Sequence, residues 1–420
     1  MSNYTQTTNF ATKDALASGN PLKIVKGTEI NTEFANIATA VATKSDSSSP
    51  TFTGTVTIPI LSYAGTTLSA AVTGTGKMVL DTSPTLVTPA LGTPASGVLT
   101  NCTGVQYNGF KNRIINGQMQ IAQRATSATI TAASTIAAGY STVDRFYVYC
   151  TGANVTAAQV AGSGANKNRL QITGAASVTA VGIGQRIEQL NSYDLAGSTA
   201  TLSLDISNSL LTTVTWTAFY ANTADTFGTL ASPTRTQIAT GTFTVSPTLT
   251  RYNTQISIPA AATTGIEVVL TVGAQISGTW IVGDLMLEKG STATSFDYRP
   301  YGMELALCQR YFYAYTCSGG GFGDFGIGYL RSTTSFLFSV KMPVSLRAAP
   351  TSLSFSGVVG DYSYQAGGTT CIANGISAIS FGADSSCVEF TSATASTVGF
   401  GGRVYGSAGA RTLYFSGSEL

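Results

Sequence analysis

Apolar residues recur mostly at every second position along this chain, in short runs broken by Gly, Ser, Asn or Pro, which is the signature of half-buried β-strands. The pattern predicts strands over 112–115, 143–149, 169–173, 183–188, 200–206, 213–220, 242–245, 251–258, 267–272 and 280–288. Further strands are predicted over 336–344 and within 398–414. A different period appears near the start, where Ile30, Phe34, Ile37 and Val41 follow one another at spacings of four, three and four. That is one apolar stripe on a helix, with Thr28 as its cap, Glu29 and Glu33 near its positive end, and Ser47-Ser48-Ser49-Pro50 as its stop. So short a helix must bury its stripe against something, and a parallel bundle of identical chains is the reading that suits a fibrous neighbour.

One window breaks the alternation. Residues 282–312, VGDLMLEKGSTATSFDYRPYGMELALCQRYF, gather Asp284, Glu288, Lys289, Asp297, Arg299, Glu304 and Arg310 in a chain that is only 10% charged. It reads as a last strand, a Gly-Ser turn, an extended run to Arg299, a Pro-Tyr-Gly break and an amphipathic run over 303–312. Such a segment closes one β-domain and hands the chain to the next.

Composition supports an all-β reading. The 420 residues include 45 Gly and are 43% hydrophobic, and Thr, Val, Tyr and Phe outweigh the helix-forming Glu, Lys and Gln. A net charge of +2 gives no electrostatic case for nucleic acid or an anionic membrane. With no histidine in the chain, Ser-His-Asp catalysis and His-ligated zinc are excluded. The six cysteines show no CxxC spacing and are expected to be reduced, and no metal or cofactor is expected. The first twenty residues lack the apolar core of a secretory signal.

Between the helix and the strands, SPTFTGTVTIP and SPTLVTPALGTPASG echo one another within 49–97. Their runs are too short to close a core alone, which suits a shaft completed by neighbouring chains. In the C-terminal part, residues 318–326 form a glycine loop with aromatics that lacks the GK[ST] of a phosphate cradle. Sugar binding needs ring faces flanked by hydrogen-bonding groups. The candidates are Phe322, Asp324, Phe325 and Tyr329, since a loop can present rings outward. Trp216 reads as core, and the cluster of Tyr311, Phe312, Tyr313 and Tyr315 as domain-junction packing. Glycoside cleavage would need a carboxylate pair. Asp144, Glu188, Asp194, Asp284, Glu288 and Asp297 are available, but Asp144-Arg145 and Glu288-Lys289 look like strand-end salt bridges.

Three blocks carry a resemblance. Leu287-Glu288-x-Gly290-Ser291-x-Ala293-Thr294, Phe296-x-Tyr298-Arg299-Pro300 and Cys308-Gln309-Arg310-Tyr311 together resemble the segment joining the last two domains of tail-fibre and receptor-binding proteins of tailed bacteriophages. The run GTGKMVLDTSPTLVTPALGTPASGVLTNCTG resembles their shafts, and NYTQTTNFATKDALASGNPLKIVKGTEINTEF resembles the virion-proximal anchor of short-tailed phage fibres. NRIINGQMQIAQR and VDRF resemble the start of the carbohydrate-binding-module-like sandwiches in such fibres, with GDLMLEKGSTATSFDYRP as the closing strand paired near that start.

The resemblance and the residue patterns together set the expectations. The fold class is mainly β: an anchor with a short coiled-coil helix over 1–48, a Thr/Gly/Pro-rich shaft over 49–110, and two jelly-roll-like β-sandwich domains. Of these two, the carbohydrate-binding-module-like sandwich spans 111–300 and the C-terminal tip 301–420. The resemblance implies a non-enzymatic homotrimeric fibre in the virion tail, assembled in the host cytoplasm. Its N-terminus would hold a tail or adaptor protein, and its C-terminal domains a host surface glycan or outer-membrane protein. The alternatives are a tail-spike depolymerase, a structural adaptor carrying a separate receptor-binding protein, and a bacterial adhesin.

Overall fold

The computed structural model describes residues 3–44, 61–63, 66–68, 110–132, 139–162, 166–317, 323–407 and 409–420. The chain forms two compact units, Met1–Gly97 and Val98–Leu420.

In the first unit, α1 (Phe10–Asp14) precedes α2 (Gly27–Ala42). Between them lies a 3-10 turn, Pro21–Lys23, begun by the Asn20 side chain accepting from the Leu22 amide. Thr28 is not the cap of α2. The helix begins one residue earlier, and Glu29 reaches back to the Lys26 amide at 2.9 Å, satisfying a donor that would otherwise be orphaned. The shaft region lies almost wholly outside the described residues, apart from the antiparallel pair β1 (Leu61–Tyr63) and β2 (Thr66–Leu68).

The second unit opens with a two-sheet sandwich. Its strands are β3 (Ser127–Ile130), β4 (Tyr147–Thr151), β5 (Val155–Ala161), β6 (Asn168–Thr173), β7 (Ala180–Ile187), β8 (Thr199–Asn208), β9 (Thr213–Ala221), β10 (Arg235–Thr244), β11 (Thr250–Ser257), β12 (Ile266–Val272) and β13 (Thr279–Lys289). One sheet runs β10-β9-β12-β7-β4 and the other β11-β8-β13-β6-β5-β3. Alternation decides what is inside. Leu202, Leu204 and Ile206 of β8 meet Val268, Leu270 and Val272 of β12 and Val214, Trp216 and Ala218 of β9 in one core.

Two expected strands differ. Residues 143–146 form a turn before β4, with Arg145 at φ +72. Residues 112–115 form a lead-in beside β13 rather than a strand. Asn112 is the reason, because its side-chain oxygen accepts from the Ile114 and Leu287 amides at 2.9 and 3.1 Å while its Nδ2 donates to Leu285 O at 3.0 Å. β6 pairs with β13 only at Thr279–Val282, and this lead-in takes over alongside β13 beyond that point.

After α3 (Tyr301–Gln309) come β14 (Tyr313–Cys317), β15 (Asp324–Ser332), β16 (Ser335–Lys341), β17 (Ser352–Phe355), β18 (Tyr362–Ala366), β19 (Thr369–Ser380), β20 (Ser385–Ser392), β21 (Gly401–Gly406) and β22 (Arg411–Ser416). This region is not a second sandwich. β15-β16-β20-β19-β18-β21 close into a barrel, with β14-β22-β17 as a separate three-stranded sheet. Glycines permit the closure. A Cβ at Gly328 would overlap Leu337 O, and one at Gly402 would overlap Gln365 O, so neighbouring backbones approach as only glycine allows. Closure removes the exposed edges that an open sheet would leave for stray pairing.

Residues 282–312 join the two parts. Arg299 donates to Ile114 O and Glu304 Oε1, both at 3.2 Å, and Glu304 also accepts from the Asn116 amide. Arg310 reaches Glu188 at 2.8 Å, and the buried Tyr311 donates to the same carboxylate at 2.9 Å.

Candidate functional site

The loop expected to present rings outward is shorter than its sequence suggests, because β15 starts at Asp324. Phe325 does not face solvent. It is 2% exposed, stacked on Tyr362 at 5.8 Å and edge-on to Tyr315 at 5.5 Å, as its inward place in the strand alternation dictates. Phe322 lies outside the described residues. Asp324 and Tyr329 do face outward, on the outer wall of the barrel, with Ile327 between them.

Strand register builds a trough from these positions. β15 and β18 both flank β21, which brings Ile327, Arg403 and Gln365 into one cross-strand row. In the next row Tyr329 lies opposite Gly401, where there is no side chain to fill the space. The result is an open trough of about 610 Å³ lined by Asp324, Ile327, Gln365, Arg403 and Ala366, with Gly328, Gly367, Gly368, Gly401 and Gly402 as its floor. Arg403 lies 3.5 Å from Asp324, donates to Gln365 Oε1 at 3.3 Å, and rests 5.0 Å from the Tyr405 ring centroid. Carboxylate, guanidinium and carboxamide thus stand in a line. Ile327 is 83% exposed, and Tyr329 and Phe400 are each about half exposed. Exposed rings beside fixed donors and acceptors suit a polyhydroxylated ligand.

Of the residues named from the sequence, Asp324 lines this trough and Tyr329 flanks it, whereas Ile327, Gln365, Arg403, Phe400 and the glycines were not named as candidates. The signal was the Gly367-Gly368 and Gly401-Gly402 doublets, the first forming the tight turn between β18 and β19 and the second opening β21.

The other candidates are structural. Trp216 is 6% exposed in the sandwich core. The acidic residues considered for cleavage have other partners: Asp194 with Arg113 at 2.8 Å, Glu188 with Arg310, and Glu288 with Thr294 and Lys111 rather than Lys289. Asp297 accepts from the Asn112 amide at 3.2 Å. Asp144 accepts from Gln123 and lies 3.7 Å from Arg124, not paired with Arg145. Asp205 and Asp284 approach one another through Arg169, at 3.3 and 3.5 Å. Burial and the Asp205 charge push the Asp284 carboxyl up against the opposing pull of Arg169. Among the described residues no group of three or more Cys, Asp or Glu side chains could hold a metal ion.

No protein-family description and no curated protein sequence matches the chain. Among solved structures it is similar to the enzymatically active domain of tailspike protein 4 of bacteriophage CBA120, at 15% identity and a TM-score of 0.26, over 43% of this chain and 22% of that one. It is also similar to TmCBM61 in complex with β-1,4-galactotriose, at 10% identity and TM-score 0.26, over 43% and 99% of the two chains. A third is the C-terminal family 22 carbohydrate-binding module of Clostridium thermocellum Xyn10B, at 14% identity and TM-score 0.26, over 45% and 100%. Likeness at this level fixes neither ligand nor activity in this chain.

Proposed function

We propose that the chain is a phage tail fibre that binds a host surface glycan through the outer wall of its C-terminal barrel. The observation that carries the reading is the glycine-floored trough, where Asp324, Arg403 and Gln365 align beside the exposed Tyr329, Phe400 and Ile327. Bridging hydroxyls would exchange hydrogen bonds with this row while sugar rings cover the apolar edge. The trough is open, so each contact is weak, and several copies on one fibre would supply avidity. The tail identity rests on the resemblance of the anchor, shaft and 287–311 blocks. The homotrimer draws support from the exposed stripe of α2. We place binding above cleavage because the acidic residues named above are engaged in ion pairs or structural hydrogen bonds.

Gly401→Leu tests the site. A Cβ there meets only Gly328 O, at 3.7 Å, so the larger side chain fills the trough without disturbing the barrel. The full chain is expected to bind at least one member of a panel of bacterial surface polysaccharides saturably, without releasing reducing ends. The variant should bind at least tenfold more weakly with an unchanged unfolding midpoint. Unaltered binding in the variant would remove the trough from the reading, and release of reducing ends would favour the depolymerase.

A further inference from the structure

A second cavity lies where the sandwich meets the three-stranded sheet β14-β22-β17. It is a cleft of about 580 Å³ lined by Arg124, Arg186, Tyr140, Phe312, Tyr414 and Glu419, with Thr229, Ser354 and Ser416 at its rim. That size lies within the ~300–1,000 Å³ range of small-molecule sites. Its two cations are held differently. Arg186 is fully engaged, donating to Glu267 Oε1 at 2.8 Å, Leu420 O at 2.8 Å and Gly228 O at 2.9 Å. Arg124 is not. Its guanidinium lies 3.6 Å from the Phe312 ring centroid, and Nη2 donates to Glu419 at 3.1 Å. Its Nη1 is buried with no hydrogen-bond partner, the nearest carboxylate being Asp144 at 3.7 Å.

Neither neighbouring acid completes Arg124. Glu419 is shared with the buried Arg145, and Asp144 is occupied by the amide and side chain of Gln123. Burial also lowers the Arg124 pKa against the pull of Asp144, the mark of a cation short of solvation. A buried guanidinium N–H without an acceptor is costly, and a bidentate carboxylate is the group that matches its geometry. The Tyr414 ring, stacked 6.0 Å from Phe312, offers an apolar face beside it.

We propose that this cleft binds a carboxylated pyranose, a uronic-acid-type sugar, with its carboxylate on Arg124 and its ring against Tyr414. The site is separate from the barrel trough and does not depend on it.

The test is a calorimetric titration of the full chain with D-glucuronate and, in parallel, D-glucose. Glucuronate should bind at least tenfold more tightly. Ser354→Trp, at an exposed position on the cleft rim, should abolish that binding with an unchanged unfolding midpoint, while Gly401→Leu leaves it intact. Arg124→Gln should weaken glucuronate at least tenfold and leave glucose unaffected. No binding of glucuronate, equal binding of the two sugars, or undiminished binding in Ser354→Trp would each overturn the proposal. Loss of glucuronate binding in Gly401→Leu alone would assign the acidic sugar to the trough and overturn it as well.

Discussion

Gly182 and Gly184 lie inside β7, where glycine ordinarily weakens a strand. Their neighbours explain them. The Tyr149 ring covers Gly182 and the Tyr147 ring covers Gly184, so a Cβ at either would overlap an aromatic ring. Tyr147 is fully buried there, donating to Glu267 Oε1 at 2.8 Å, and burial pushes its hydroxyl pKa well up. Gly184→Ala should therefore destabilise the sandwich by about 1–3 kcal/mol through overpacking. Gly273→Ala, where a Cβ meets nothing within 4 Å, should stay within about 0.5 kcal/mol of the parent. Urea unfolding monitored by tryptophan fluorescence reads both, and equal effects would show that the ring contact does not set the cost. The pairing of Gly182 and Gly184 with Tyr149 and Tyr147 joins β7 to β4 across the chain. The alternation of each segment was therefore legible, whereas the reason for the glycines was not.

At the scale of elements, α2 shows what periodicity reveals and what it misses. The stripe was legible, and Ile30, Phe34, Ile37 and Val41 lie exposed at 39%, 64%, 39% and 62%. The role of Glu33 was not, because its partners come from a segment with no periodicity of its own. The Glu33 carboxylate accepts from the Thr7 hydroxyl and amide, the Tyr4 hydroxyl and the Thr8 amide, which hold its pKa down at about 2. That segment therefore folds onto α2 and leaves the apolar stripe open. If the stripe is the seam between three copies, the chain should sediment at three times its own mass. Phe34→Ser with Ile37→Ser should return it to monomer while the barrel and sandwich keep their unfolding transition. A monomeric parent, or a trimer that survives the double substitution, would remove α2 from the assembly. The trough was hidden for a similar reason: Asp324, Gln365 and Arg403 belong to three strands, and only their register places them side by side.

Across the whole of the second unit, residues 282–312 act as the expected link, but through buried charge rather than surface pairing. Burial alone would raise the Glu188 carboxyl. Hydrogen bonds from Arg310 and Tyr311, with the charges of Arg310 and Arg347, outweigh it and hold the pKa below the usual glutamate value. Stability from a lowered carboxyl is complete above the unfolded pKa of ~4.3 and is lost as pH falls through the folded value. Asp144 and Glu304 act in the opposite sense. Burial raises both against the pull of neighbouring arginines, so what they contribute declines as pH rises through their windows. The sandwich–barrel joint therefore contains acids titrating in opposed directions, and a single substitution can separate them. Tyr311→Phe keeps the ring beneath Arg145, whose guanidinium lies 3.5 Å from its centroid, and removes only the donor to Glu188. Near neutral pH it should cost about 1.5–3 kcal/mol, the range for a hydrogen bond to a charged group. The loss should shrink as pH is lowered past the depressed folded pKa of Glu188, which lies below the ~4.3 of an unfolded glutamate. Denaturant unfolding at the two pH values checks this, and an equal loss at both would show that the hydroxyl acts through packing rather than through the carboxylate.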